Sequence, residues 1–294
     1  MGDTTCVLNA RCGCALSCAH TPPTGALACG VAAQALSLPD GDVLLHAGDF
    51  TRRGTEREVR AFAEWLARQP HRLKVVIAGN HDLSFDACFP KRDLVHQYGF
   101  PKGTNDQALA AIRGLLAGPD APCVYLEGQS VEVDGWRIWG APHTPAFWGA
   151  FNVEPGPSME ALWGRIPAGT DIVVTHGPAL GHGDTVARGR QQVGCPTLRR
   201  HLLQRVRPAI HVCGHIHESA GVSFEGGICF ANVATCDLSY RATQPAAVFQ
   251  LRRRAGDTAI AGEPCSTTDI SWVQLPRSDH FAGLSDAHRE EQQH

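Results

Sequence analysis

"AIHVCGHIHE", residues 209–218, runs apolar as far as Cys213, turns on Gly214 and then sets out His215 and His217. A short apolar run that breaks at glycine into polar side chains reads as a strand buried on both faces that is leaving the core. The same design recurs in "DVLLHAGD" (42–49), "LKVVIAGNHD" (73–82) and "DIVVTHGP" (171–178). Between these strands lie helical patterns. In "GTEREVRAFAEWLARQP" (54–70), Thr55 and Glu58 can form a capping box, and Val59, Phe62, Ala63 and Leu66 make one apolar face. Residues 106–117, "SMEALWGRI" (158–166) and "PTLRRHLLQRV" (196–206) also read as helices. "SVEVDGWRIWG" (130–140) is two alternating runs around Asp134-Gly135, the signal of a hairpin. Strands alternating with helices, with hairpins interleaved, predict an α/β fold of mixed sheets with helices outside. The pattern places one domain over 39–251. It is flanked by an irregular Cys/Ala-rich arm, 1–38, and a polar, aperiodic and mobile tail, 252–294.

The bulk properties narrow the function. A chain of 294 residues with a formal charge of −3 can bury a large core but carries no global field for nucleic acid or an anionic membrane. No apolar run reaches the roughly 20 residues that span a bilayer. The 12 cysteines crowd the N-terminus or sit singly in apolar runs, which predicts free thiols in a reducing, cytoplasmic setting. The partner expected is a small molecule, with no nucleic acid; the oligomeric state is left open.

Each of the four strand ends delivers side chains that ligate metals: Asp49, then Asn80 with His81, then His176, then His215 with His217. In α/β folds, ligands bind beyond the carboxyl ends of the strands. Each piece alone is an ordinary loop residue, but four coincidences of one kind argue for a shared site. Imidazole, carboxylate and carboxamide without thiolate suit Mn²⁺, Fe or Zn and are too rich in imidazole for calcium. Asp49 has two oxygens and can bridge two ions about 3.5–4 Å apart, the usual arrangement for displacement at phosphorus. Arg52 and Arg53 follow the carboxylate and could meet a phosphate, and Trp148 could stack on a nucleobase. For all three, the plainer roles are surface charge and packing. His46 reads as a core histidine, His182 and Asp184 as residues of a mouth or a turn, and Cys195 as a buried thiol.

"GDVLLHAGDFTRRG", "VIAGNHDLSFD", "VTHGPALGHGD" and "HVCGHIHESAG" resemble the motif blocks of the calcineurin-like metallophosphoesterases. With "GAPHTPAFWGAFN", "VGCPTLRRHL" and "ANVATCDLSY" in the same order, the chain is most similar to the metallophosphoesterase-domain-containing branch of class III cyclic nucleotide phosphodiesterases. The likeness runs from Leu38 to Leu251. It implies a four-layer αββα sandwich with one or two divalent ions at the strand ends. Asp49 would bridge, Asn80, His176 and His215 would complete one site, and His217 would serve the other. His81 would face the phosphate as general acid while a metal-activated hydroxide attacks in line. The implied substrates are small phosphodiesters such as cyclic nucleotides.

One block departs from the pattern. The resemblance calls for Asp-x-His at the end of the first strand, before the bridging carboxylate. On the implied spacing this falls on "GALACG" (25–30), with Ala28 in place of the carboxylate. "LSCAH" (16–20) lies further upstream, where Cys18 and His20 are candidate substitute ligands. Three explanations stand: one ion is lost, Cys18 and His20 loop in, or the segment is not the domain's native start. The departure raises a second reading, a weakly active or inactive regulatory protein that binds a nucleotide or metal.

Overall fold

The computed structural model describes residues 4–9, 38–187, 190–253 and 268–274. Twelve strands build two sheets: β1 (Thr4–Asn9), β2 (Val43–Ala47), β3 (Leu73–Ile77), β4 (Val124–Tyr125), β5 (Gln129–Val133), β6 (Trp136–Ala141), β7 (Ile172–Thr175), β8 (Ile210–Cys213), β9 (Gly221–Glu225), β10 (Ile228–Asn232), β11 (Ala247–Arg253) and β12 (Thr268–Gln274). The first sheet has the order β12-β11-β1-β2-β3-β4, the second β9-β10-β8-β7-β6-β5. Parallel pairing joins β1 to β2, β2 to β3 and β3 to β4 in one sheet, and β6, β7, β8 and β10 in the other; antiparallel strands finish both.

Alternation along the strands explains the layering. Val43, Leu45 and Ala47 of β2 join Ile172 and Val174 of β7 and Ile210 and Val212 of β8 in a core between the sheets. Leu44 and Val76 face the other way, against Val59, Phe62 and Leu66 of α1 (Glu56–Ala67) and Ile112 and Leu116 of α3 (Asp106–Ala117); α2 (Lys91–Gln97) adds Leu94. On the far side, Trp139 and Val173 pack on Met159 and Trp163 of α4 (Pro157–Gly164) and Leu198 of α5 (Pro196–His201). The result is the expected αββα sandwich. Truncating a fully buried leucine such as Leu45 would cost about 2–5 kcal/mol.

The local signals act as read. Thr55 N–H donates to Glu58 Oε2 at 2.9 Å, closing the capping box. Asp134 and Gly135 both take positive φ, 51° and 80°, as the tight hairpin between β5 and β6 requires. The helix expected over 196–206 divides: α5 passes at Leu202 into a wider π-helical turn that ends on left-handed Arg207.

Both chain ends need correction. The segment 1–38, read as irregular, supplies β1 at Thr4–Asn9, between β2 and β11 inside the first sheet. The segment from Arg252 onward, read as a polar tail, supplies β12 at Thr268–Gln274, paired along its length with β11. Neither strand was evident because a short run gains its pairing partner only in the folded sheet. Ile270 and Trp272 do show the alternation of a strand.

Candidate metal centre and active site

Strands β2 and β3 of one sheet and β7 and β8 of the other end at the same place. The close approach there depends on two glycines. A Cβ on Gly48 would lie 2.6 Å from Ala78 O and from His176 Nδ1. A Cβ on Gly79 would lie 2.6 Å from Asp49 N and from His176 Cε1. Just beyond the strands, Asp49 (φ 58°) and His215 (φ 69°) adopt left-handed backbone, a conformation that costs non-glycine residues about 1–3 kcal/mol and gathers at functional sites.

Asp82 holds the first two loops together. Its buried carboxylate accepts the N–H of Gly79 (2.8 Å), Asp49 (3.0 Å) and Thr51 (2.9 Å) and the hydroxyl of Thr51 (2.6 Å). Burial and the nearby Asp49 push its proton affinity up. The four donated bonds offset the cost of that buried charge.

The donor atoms then converge. One ligand atom each from Asp49, His176 and His215 lies within 4.8 Å of the others. His176 Nδ1 lies 2.9 Å from Ala47 O, 129 residues away and on the opposite sheet. A carbonyl can only accept, so Nδ1 carries the proton and Nε2 is turned inward. There it meets Asn80 Oδ1 at 2.9 Å, His215 Nδ1 at 3.2 Å and Asp49 Oδ2 at 3.3 Å. The Asn80 amide is oriented by its own Nδ2, which donates to Trp148 O at 3.0 Å. Lone pairs of a carboxylate, an amide and an imidazole thus point at one another in a dry pocket. A cation at the centre would satisfy these donors, and oxygen and imidazole donors of this kind fit a Mn²⁺, Fe or Zn ion.

The proton affinities follow the same geometry. Burial opposes charge on Asp49, yet His176 and His81 beside it hold its pKa well below the usual carboxylate range. Burial also works to discharge His176, but Asp49 prevails and raises it above the ordinary imidazole value. Burial, and then His176, lower His215 to about 3.

His81 sits beside this cluster. Its N–H donates to Asp49 Oδ1 at 2.9 Å, and its Nδ1 lies 3.1 Å from the carbonyl of Arg52. Among the described residues no hydrogen bond engages its Nε2. His217 repeats the device, with Nδ1 3.0 Å from Asp237 O. It stands outside the compact group but lines the same cleft, of about 340 Å³, with Asp49, Asn80, His81 and His215.

A family profile described as calcineurin-like phosphoesterase matches residues 30–219. This chain belongs to that family. Metallophosphoesterase domain-containing protein 1 of Homo sapiens is 42% identical over 221 residues, covering 74% of this chain and 66% of its own length. UPF0046 protein T07D4.2 of Caenorhabditis elegans is 40% identical over 210 residues, covering 68% of this chain and 52% of its own. The chain therefore spans just under two thirds of the human relative's length. One solved structure aligns over 94% of this chain and 100% of its own at a TM-score of 0.56 with 10% identity, a likeness of fold.

The remaining candidates fall as follows. Neither Arg52 nor Arg53 lines the cleft; Arg52 reaches His81 through its backbone carbonyl. Trp148 packs on the His81 ring at a centroid distance of 4.8 Å. Cys18 and His20, like Ala28, lie outside the described residues. The strand running parallel beside β2 is β1, which ends at Asn9 opposite His46. The Asp-x-His block that the resemblance implies at the end of a first strand would fall at Asn9, an amide, if β1 is taken as that strand. His46 is a core histidine against Phe62 at 5.0 Å. Asp184 accepts the N–H groups of Gly181 and Gly194, and Cys195 caps α5 through Leu198 N–H. Sequence reasoning missed Asp82, Thr51 and Tyr240. Only Asp82 carried a signal, as the unassigned last residue of "GNHD".

Proposed function

We propose that this chain is a divalent-cation-dependent phosphodiesterase. The observation that carries this reading is the buried convergence of Asp49, Asn80, His176 and His215 beside His81. These four residues would hold the ion. When bound, it supplies Lewis acidity to the phosphoryl oxygens and acidifies water. Asp49 and the inward Nε2 of His176 would hold the ion, and the carbonyl of Ala47 sets the His176 tautomer that would make this possible. Water adds to phosphorus as the opposite ester P–O bond breaks. His81, its Nδ1–H donated to Arg52 O, would act in its doubly protonated form and deliver the Nε2 proton to the departing oxygen, while the attacking water releases one proton to solvent. His217 and Asp49 would be among the residues to hold a second ion. The finer assignments belong to the same proposal: Mn²⁺ as the ion, cyclic nucleotides among the substrates and a cytoplasmic location. The last is supported by the free thiols among the described cysteines.

The test is hydrolysis of bis(p-nitrophenyl) phosphate against p-nitrophenyl phosphate with Mn²⁺. The diester should be preferred, and His81→Ala should lower kcat by about 10²–10⁴-fold. Metal-loaded protein that leaves every diester intact would refute the proposal. Asn9 at the end of β1 favours a second reading, a regulatory protein holding a nucleotide or a single ion with little turnover. That reading expects His81→Ala to leave the slow rate unchanged.

A further inference from the structure

We propose that Tyr240, Leu238 and Phe147 form a seat for a flat aromatic arm of the substrate ester, so that the site selects singly charged aryl phosphodiesters. This rests on the phosphodiesterase reading above. Among the described residues, the large hydrophobics most open to water are Phe147 (73% exposed), Leu238 (61%), Phe224 (61%) and Trp148 (41%). Phe147 and Leu238 line the metal cleft, and Trp148 lies against His81. Apolar groups collected at one cleft and left wet are the mark of a surface that a ligand covers.

The seat is built rather than loose. Tyr240 takes left-handed backbone (φ 59°) in a turn fastened by Asp237. The Asp237 carboxylate accepts from Ser239 N (2.8 Å), Arg241 N (3.0 Å) and the Arg241 guanidinium (2.7 Å). The Asp237 carbonyl is the group that orients His217, so wall and site are fixed by one residue. The Tyr240 ring stands edge-to-face with His217 (5.3 Å, 86°) and with His81 (6.2 Å, 76°). On another wall, the Phe147 ring meets His215 in the same manner (5.4 Å, 86°), and its N–H is held by Asn152 Oδ1. Aromatic groups therefore adjoin the ion-binding cluster and the proton donor together. Among the described residues no lysine or arginine lines the cleft, and its rim carboxylate is Glu218, which accepts the Ala187 N–H. An arene would find an apolar wall beside His81 and would cover the exposed Phe147 and Leu238.

The test uses two non-chromogenic diesters, diphenyl phosphate and dimethyl phosphate. Each competes against bis(p-nitrophenyl) phosphate and is also titrated calorimetrically into the Mn²⁺-loaded full chain. Burying one ring predicts that diphenyl phosphate binds about 20-fold more tightly. Tyr240→Leu and Phe147→Ala should each cut that ratio to about threefold or less. They should leave dimethyl phosphate within about twofold of its wild-type affinity, while Tyr240→Phe keeps the preference. Equal binding of the two diesters by the wild type, or a preference that survives both substitutions, would overturn the proposal. A protein that hydrolyses no diester would end the phosphodiesterase reading, and the calorimetric ratio would still decide on the seat.

Discussion

The loop that follows β7 carries two histidines, each beside a carboxylate, and they are built to opposite ends. His182 has both ring nitrogens matched: Nδ1 lies 2.8 Å from Ser223 Oγ, Nε2 lies 2.7 Å from Glu225 Oε2, and the ring stacks on Phe230 at 3.8 Å. His176 has one nitrogen matched, to Ala47 O, while the other faces Asn80 Oδ1, Asp49 Oδ2 and His215. The first pair is closed, a clasp between loop and β9. The second has more acceptors than protons, in a pocket where Asp49 and His176 are almost fully buried. What marks a cation site is this surplus of inward lone pairs rather than the presence of histidine and carboxylate together.

The comparison can be broken most directly at Asp49. Asp49→Asn removes the charge that faces His176 while keeping its shape, and Mn²⁺ affinity by calorimetry should fall at least about 100-fold, with diester hydrolysis falling in step. Asp82→Ala tests the scaffold beneath it. The substitution strands three backbone N–H groups and a hydroxyl, so urea unfolding should show a loss of about 3–5 kcal/mol, with weaker metal binding in whatever remains folded.

Acidity sharpens the contrast. In the ion-free chain His176 has a raised pKa, so its proton stabilises the fold below the unfolded value of about 6.5 and that contribution is lost as pH rises through the folded pKa. The same proton competes with the cation. Mn²⁺ affinity should therefore climb with pH by up to about tenfold per unit until His176 is deprotonated, and then level off. His211 behaves with the opposite sign. Burial lowers its pKa to about 3, so it stabilises above the unfolded value, and that contribution is lost as pH falls from about 6.5 towards 3. An acid titration of His211→Phe should be flatter than that of the wild type in this window. The smallest effect belongs to the closed pair. His182→Gln should cost about 1 kcal/mol in urea unfolding and leave Mn²⁺ affinity within about twofold, because Glu225 is partly exposed and keeps Arg199.

Much of this was legible in the chain. β-branched runs that break at glycine located the ends of β2, β3, β7 and β8, and with them Asp49, Asn80, His81, His176 and His215. Lateral partners were not legible. β1 and β12 are strands because β11 and β2 pair with them, and nothing local to "TTCVLN" announces that. The same holds within the site. Asp82 stood unassigned because its partners Asp49 and Thr51 lie 33 and 31 residues away. Tyr240 is one more loop aromatic until the Asp237 turn brings it over His217. Residue type and punctuation are local properties, whereas the direction of a lone pair is set by whichever distant backbone group takes the other end of the side chain.

Electron–nuclear spin resonance of bound Mn²⁺ reads that direction most directly, since the ion's unpaired electrons couple to any nitrogen that ligates it. At no more than one Mn²⁺ per chain, coupling to two imidazole nitrogens in the wild type, reduced to one in His176→Ala and absent in the double variant with His215→Ala, is the predicted result. A Mn²⁺ signal coupled to water alone, or one unaltered by His176→Ala, would contradict the shared cation site.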